Sequence, residues 1–398
     1  MNTKTIDDLS LRGKKVLVRV DFNVPMTSDL KISDDTRIVE SLPTIKKILS
    51  DGGAVILMSH LGRPKGKPTP EFSLKPVGVH LGSLLGITVH FATDCVGKPA
   101  RAAVETLKPG EVLLLENLRF HNEEEKNDEA FAKELASLGE VYVNDAFGTA
   151  HRAHASTEGV ARFLKPAVAG FLMRKEIEYL GRAVGNPARP YVAILGGAKI
   201  SGKIDVIQNL MPRIDGLVIG GGMAFTFFRA QGLEIGDSLV EQEKVVLAKQ
   251  ILDEAKAKQK RLILPVDCVI ADKMDNDAQR KVVSVNKIPS GWRGLDIGPE
   301  TVKIINIELH RARTIVWNGP MGVFEMPNFA HGTMEVAKLL AEVTRAGAIT
   351  IVGGGDSAAA IAQAGLETAV SHVSTGGGAS LEFLEGKILP GLAALDRK

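Results

Sequence analysis

The sequence predicts an α/β protein of two doubly wound parallel-sheet domains joined by a helix. Short β-branched runs recur along the whole chain, each closed by polar or glycine residues and followed by a helical pattern. The runs are continuously apolar, as strands buried on both faces are, and do not alternate. There are also more of them than one sheet of five or six strands holds comfortably. Two sheets follow.

In chain order the strand candidates are 16–20, 55–58, 112–115, 141–143, 192–195, 217–219, 262–264, 315–317 and 349–352. Strands alternating with helices imply right-handed parallel crossovers. The stretch 76–93 carries no charge, but Gly78, Gly82 and Gly86 interrupt it. It reads as a short helix and a strand, not a membrane span. Glu176, Ile177, Leu180 and Val184 continue a helix that stops at Gly185-Asn186-Pro187. The domains are therefore expected at 1–172 and 191–375, with 173–190 as connecting helix and linker and 376–398 as a C-terminal tail. A faint echo points to related halves, since 87–96 and 262–269 each run from a strand into Asp-Cys-Val.

Composition narrows the function. Lys plus Arg is 49 against 47 for Asp plus Glu, a net charge of +2, which argues against a protein that coats nucleic acid. Aromatics at 5% leave few rings for stacking bases. Hydrophobic residues at 44% and charged residues at 24% suit a chain with a sizeable core. Cys95 and Cys268 lie far apart without metal-ligand spacing, and read as reduced thiols of a cytoplasmic protein. The N-terminus has early acids and no apolar stretch, so no signal peptide is expected.

Ligands of open α/β sheets bind beyond the carboxyl ends of the strands. In the first half those positions are cationic: Arg19 then Asp21 and Asn23, His60 then Arg63, Arg119, and Asn144-Asp145 leading to His151-Arg152, with Arg37 after the first strand. Any one arginine is more often a solvated side chain. Five strand-end sites together point to a cleft for a small, multiply anionic ligand, which the planar guanidinium grips in bidentate fashion. Asp21 and Asn23 would add selection for a ligand hydroxyl.

The second half ends its strands in glycine: Gly196-Gly197, Gly220-Gly221-Gly222, Gly319 and Gly353-Gly354-Gly355. Each alone is more often a tight turn, but together, with lysines and a carboxylate nearby, they suggest a nucleotide. The run 197–204 nearly fits the GxxxxGK[ST] loop but ends in Ile204, which has no hydroxyl for magnesium. That loop is rejected. Lys199 and Lys203 are expected at i and i+4 on one helix face, both reaching one triphosphate. Asp356 is expected to cap a helix at 357–364 and to face a phosphate-bound magnesium. Thr375 to Gly378 form a further anion-binding turn. Glu123-Glu124-Glu125 reads as a solvated helix start, and His151 with His154 lacks the carboxylates of a zinc site. One half gripping a small polyanion and one gripping a nucleotide describe a kinase.

At these same residues the chain resembles the phosphoglycerate kinase family. The shared strings are VRVDFNVP at 18–25, SHLGRPKG at 59–66, ENLRF at 116–120, NDAFGTAHRAHAST at 144–157, LGGAKISGK at 195–203, WNGPMGVFE at 317–325, GGGDS at 353–357 and STGGGASLEFLEGK at 374–387. The resemblance implies reversible transfer of the acyl phosphate of 1,3-bisphosphoglycerate to ADP, with Mg2+, giving 3-phosphoglycerate and ATP. It implies two Rossmann-like lobes joined by a hinge helix, a monomer, and a tail that returns to the first lobe. It places 3-phosphoglycerate on Asp21, Asn23, Arg37, His60, Leu61, Gly62, Arg63, Arg119 and Arg152. It places the nucleotide on Lys199, Lys203, Glu325, Gly354, Gly355, Asp356 and Ser357, with adenine against Gly197, Gly220, Gly221, Pro320 and Val323. Arg37, Lys203 and the amides of Gly354 and Gly377 would neutralise the moving phosphoryl group. Gly202, where an acidic or polar residue is frequent, would loosen the helix carrying the lysines, and Ser357 keeps the hydroxyl of the commoner threonine. Two rival readings stand beside this one: a kinase of another small acid phosphate, and a nucleotide-binding protein without turnover.

Overall fold

A computed structural model describes residues 2–398. It divides into two compact units, Met1–Glu178 with Ile388–Lys398, and Tyr179–Lys387. The division falls inside the helix Phe171–Val184.

Unit 1 holds β1 (Lys15–Arg19), β2 (Ala54–Met58), β3 (Val89–Phe91), β4 (Val112–Leu114), β5 (Val141–Asn144) and β6 (Ala167–Ala169). They form one parallel sheet in the order β3-β4-β2-β1-β5-β6. Every residue of β2 is buried, which is why it reads as an unbroken apolar run. Val16, Val18, Val55 and Leu57 meet Ile38, Ile45 and Ile48 of the helix Thr36–Ser50 in the core. The apolar positions 38, 45 and 48 share one helix face, and that face carries Arg37 to the strand ends. Residues Ile388–Lys398 pack within this unit. Lys4 N–H donates to the Asp396 carbonyl at 2.8 Å, and Gly391 N–H donates to Ala150 at 2.9 Å.

Unit 2 holds β7 (Tyr191–Leu195), β8 (Gly216–Ile219), β9 (Arg261–Ile263), β10 (Asp267–Ala271), β11 (Arg280–Ser284), β12 (Arg293–Ile297), β13 (Thr314–Asn318), β14 (Ile349–Gly353) and β15 (His372–Val373). Its six-stranded parallel sheet runs β15-β14-β13-β7-β8-β9. The strand order reverses between β7 and β13, the crevice where doubly wound sheets hold ligands. Trp317 of β13 is fully buried in this core, and its ring N–H donates to the Gly319 carbonyl at 2.8 Å. Truncating it to alanine would cost roughly 3–5 kcal/mol and release the turn that follows.

Four expectations need correction. The Asp-Cys-Val echo has no structural counterpart: 94–96 is a bend before the helix Gly97–Thr106, whereas 267–269 is strand β10. That strand is the centre of an antiparallel sheet, β11-β10-β12, which the βα pattern did not foretell. Lys199 is not on a helix; a single 3-10 turn, Ser201–Lys203, precedes the helix Ile204–Leu210. Gly202 therefore sits in a turn with open space around it, and the cost of a helix-interior glycine does not arise. Asp356 is not the cap of its helix. The helix is Gly355–Gln363, with Gly354 at the cap in a φ of 90° that favours glycine, and Asp356 in the first turn.

The fourth concerns Glu124, which is wholly buried. Its carboxylate accepts from the Ser156 N–H at 2.9 Å and the Ser156 hydroxyl at 2.6 Å, and the same hydroxyl accepts from Arg19 Nε at 2.8 Å. Burial raises its carboxyl pKa while Arg19 opposes the rise. Charge-run reasoning cannot see this, because the partners lie on other segments.

Candidate active site

In unit 1 the ends of β1 and β2 place a bonded cluster. Arg37 Nη1 donates to Asp21 Oδ2 at 3.0 Å and to the Asn23 carbonyl at 3.2 Å. Gly62 turns at φ 62°, and a Cβ there would lie 2.3 Å from the Phe72 ring, so only glycine fits. That turn aims the Gly62 N–H at Asn23 Oδ1 at 2.9 Å and its carbonyl at Arg119 Nη1, also at 2.9 Å. Leu61 is buried and held by Asn117, whose side chain accepts from its N–H at 3.2 Å. Arg152 Nε donates to His151 at 3.1 Å, and Arg63 is exposed.

His60 reports the field. Its Nδ1 lies 3.1 Å from Arg19 Nη2 and 3.8 Å from Asp21 Oδ1. Burial first, then the charges of Arg19, Arg119, Arg37 and Arg152, push its pKa well below the usual value. The imidazole is neutral at pH 7, chiefly because it is buried and then because the arginine charges repel a proton. His154 is pushed down to about 4 by burial and by three of those arginines. Arg19 and Arg119 are buried, whereas the Arg37 side chain stays 36% exposed, so a guanidinium at the edge of the cluster can meet a small anion.

In unit 2 the reversal of strand order opens two cavities with shared walls. Gly196 N–H donates to the Asn318 carbonyl at 3.0 Å, and Gly197 N–H to Pro320 at 2.8 Å. A Cβ on Gly196 would lie 2.2 Å from the Pro320 oxygen, so the two turns close only through glycine. The larger cavity, about 460 Å³, has Gly197, Gly221, Pro320, Val323 and Glu325 in its wall, together with Phe225 and Phe228. Its lining is mostly apolar, which suits a purine. The smaller, about 210 Å³, is walled by Lys199, Lys203, Gly354, Gly355, Asp356, Ser357 and Leu381. Gly197, Ala198 and Asp356 belong to both.

Lys203 Nζ bonds Asn318 Oδ1, and the Ser357 hydroxyl accepts from the Gly319 N–H at 2.6 Å. Burial draws the Lys203 pKa down to about 8, with Asp356 and Glu385 pulling the other way. Such a lysine is mostly charged at pH 7 and takes up a proton together with an anion only at alkaline pH. Asp356 presents a hard carboxylate oxygen on the wall of the lysine-lined cavity, which suits Mg2+.

Two expected residues lie apart from the cavity walls. Gly220 sits behind Met321, whose Cε would be 2.2 Å from a Cβ there. Gly377 caps the helix Gly378–Leu384 at φ 49°, and only Leu381 of that helix reaches the smaller cavity. Sequence reasoning missed Phe225, Phe228 and Asn318. Asn318 had a signal, being the polar residue that ends an apolar strand; the two phenylalanines look like ordinary helix core.

Two α/β units, one ending its strands in arginine and the other in a glycine-walled cavity with two lysines, define a nucleotide-dependent phosphotransferase acting on a small anion. The family described as phosphoglycerate kinase matches residues 6–387. The chain is 62% identical over 395 residues to phosphoglycerate kinase of Chloroherpeton thalassium, covering 99% of each, and 60% identical over 396 residues to that of Chlorobium chlorochromatii, covering all of both. Among solved structures, phosphoglycerate kinase from Coxiella burnetii superposes with a TM-score of 0.90 at 44% identity, and that from Pyrococcus horikoshii with 0.83 at 36%, each over 98% of both chains. The chain belongs to the phosphoglycerate kinase family, and its activity is that of a glycolytic phosphotransferase with a carboxyl group as acceptor.

Proposed function

We propose that unit 1 binds 3-phosphoglycerate or 1,3-bisphosphoglycerate through Asp21, Asn23, Arg37, His60, Leu61, Gly62, Arg63, Arg119 and Arg152, and that unit 2 binds ADP or ATP. The acyl phosphate of 1,3-bisphosphoglycerate passes to ADP, and the reaction runs in both directions. The observation that carries this reading is the division of charge. Burial and the charges of four arginines keep His60 neutral in one unit, and a purine-sized cavity joins a lysine-lined one in the other.

Adenine lies against Gly197, Gly221, Pro320 and Val323, with Gly220 supporting the slot through Met321 and Glu325 accepting from ribose hydroxyls. The phosphates meet Lys199, Lys203, Gly355 and Ser357. Mg2+ would be held by Asp356 together with those phosphates, and when bound it neutralises their charge. In the direction of ATP consumption the acceptor is a carboxylate, already ionised at neutral pH. No side chain has to remove a proton, and the neutral, buried His60 accepts from Arg19 through Nδ1. The remaining work is to neutralise charge on the moving group and exclude water. Arg37, Lys203 and the amides of Gly354 and Gly377 do this.

The protein acts as a cytoplasmic monomer. Both sites draw on one chain, and Cys95 and Cys268 are buried free thiols. Among the described residues no helix is long and apolar enough to cross a membrane. A dehydrogenase-coupled assay with 3-phosphoglycerate, ATP and Mg2+ tests the reading. Steady oxidation of NADH is expected; its absence, with turnover of another acid phosphate or of none, would overturn it.

A further inference from the structure

We propose that Asp94, Cys95 and His121 form a cation site of zinc type in unit 1, separate from the arginine cluster. Asp94 and Cys95 follow β3 in the bend before the helix Gly97–Thr106, and His121 follows the turn Leu118–Phe120. One donor atom from each residue lies within 4.8 Å of the other two. The Cys95 thiol is fully buried and free, whereas the side chains of Asp94 and His121 are 38% and 29% exposed. The thiol thus forms the floor of the site and the other two donors its mouth, so a cation can enter from solvent. The His121 ring is already steadied by Phe131, with centroids 5.3 Å apart.

The donor set decides the cation. One thiolate, one imidazole and one carboxylate favour Zn2+ and its relatives and are a poor match for Mg2+. Three protein donors leave a fourth tetrahedral position for water. At present His121 Nε2 lies 2.7 Å from Asp94 Oδ1, which also accepts from the Cys95 N–H at 2.7 Å. Tetrahedral zinc sets its donors roughly 3.3–3.8 Å apart. Binding therefore opens the His121–Asp94 bond and draws the thiol inward. The thiol proton leaves to solvent, and the imidazole binds through whichever ring nitrogen carries no proton. One proton is released per cation, so affinity rises with pH. A cation here ties the end of β3 to the segment that carries Arg119, whose Nε pairs with Glu125 at 3.2 Å.

The test uses the full-length chain, reduced and stripped of metal by chelator, titrated with Co2+ as the probe. A thiolate-to-cobalt charge-transfer band should appear, saturate at one equivalent and be displaced by Zn2+. Cys95→Ser should abolish the band, and His121→Gln, at a part-exposed position, should weaken Co2+ binding at least tenfold. Cys268→Ser should leave the band intact. A titration without the band would overturn the site, as would a band that survives Cys95→Ser or disappears with Cys268→Ser.

Discussion

Nucleotide binding should take up a proton at alkaline pH, and Lys203 is the group that binds it. In the free protein, burial beside Asn318 draws its pKa from 10.5 to about 8. A triphosphate or diphosphate placed in the lysine-lined cavity puts negative charge against the ammonium and restores the ordinary value or higher. With a free pKa of about 8, the lysine is roughly nine-tenths protonated at pH 7 and one-tenth protonated at pH 9. Binding of magnesium ADP should therefore take up about 0.1 proton at pH 7 and about 0.9 at pH 9. The affinity should be about tenfold weaker at pH 9, close to 1.4 kcal/mol. Isothermal titration in two buffers of different ionisation enthalpy measures both quantities. Lys203→Met should bind more weakly at pH 7 and show no proton uptake at pH 9. Equal affinity at the two pH values without uptake would refute the placement of Lys203 against the phosphates.

Arg37→Ala should lower kcat by roughly 10- to 150-fold, the loss of about 1.5–3 kcal/mol from one charge-assisted bond, with a smaller change in ADP affinity; near-normal turnover would remove Arg37 from the reacting group. Glu325→Ala should raise the KM for nucleotide and spare kcat, because ribose is bound alike in ground and transition states; the opposite split would show that Glu325 acts on the chemistry. Asp145 is fully buried and burial lifts its carboxyl pKa to about 7, above the unfolded value of 3.8. The folded state then holds the proton that the unfolded state loses, so stability from this group is full below about pH 4 and falls as pH rises to about 7. Asp145→Asn should flatten that fall in urea midpoints measured from pH 4 to 8, and an unchanged slope would assign it elsewhere.

The parallel sheets were legible because their strands are buried on both faces and leave unbroken apolar runs, as Ala54–Met58 and Tyr191–Leu195 do. The short pieces were not. Ala167–Ala169 and His372–Val373 are two or three residues long and made strands only by their neighbours. The antiparallel sheet was hidden for another reason: Arg280–Ser284 is mostly exposed and carries no apolar pattern. The anion cluster could be listed from strand ends, since position after a strand is a one-dimensional fact. Its support could not. Arg19 reads as one more cationic ligand, yet it is 1% exposed and bonded to Ser156 and His60. Glu124 and Ser156, which complete that support, are 32 residues apart. Lys199 and Lys203 do line one cavity, but not through i and i+4 spacing, because the helix assumed to present them begins only at Ile204.

The central claim is that the acid phosphate and the nucleotide are held by different units. Hydrogen–deuterium exchange of the full chain, with 3-phosphoglycerate alone and with magnesium ADP alone, tests it most directly. The first ligand should slow exchange at 21–24, 60–63 and 118–121, and the second at 196–203, 220–223, 319–323 and 354–358. Protection by both ligands at the same unit, or with the two sets interchanged, would contradict the account.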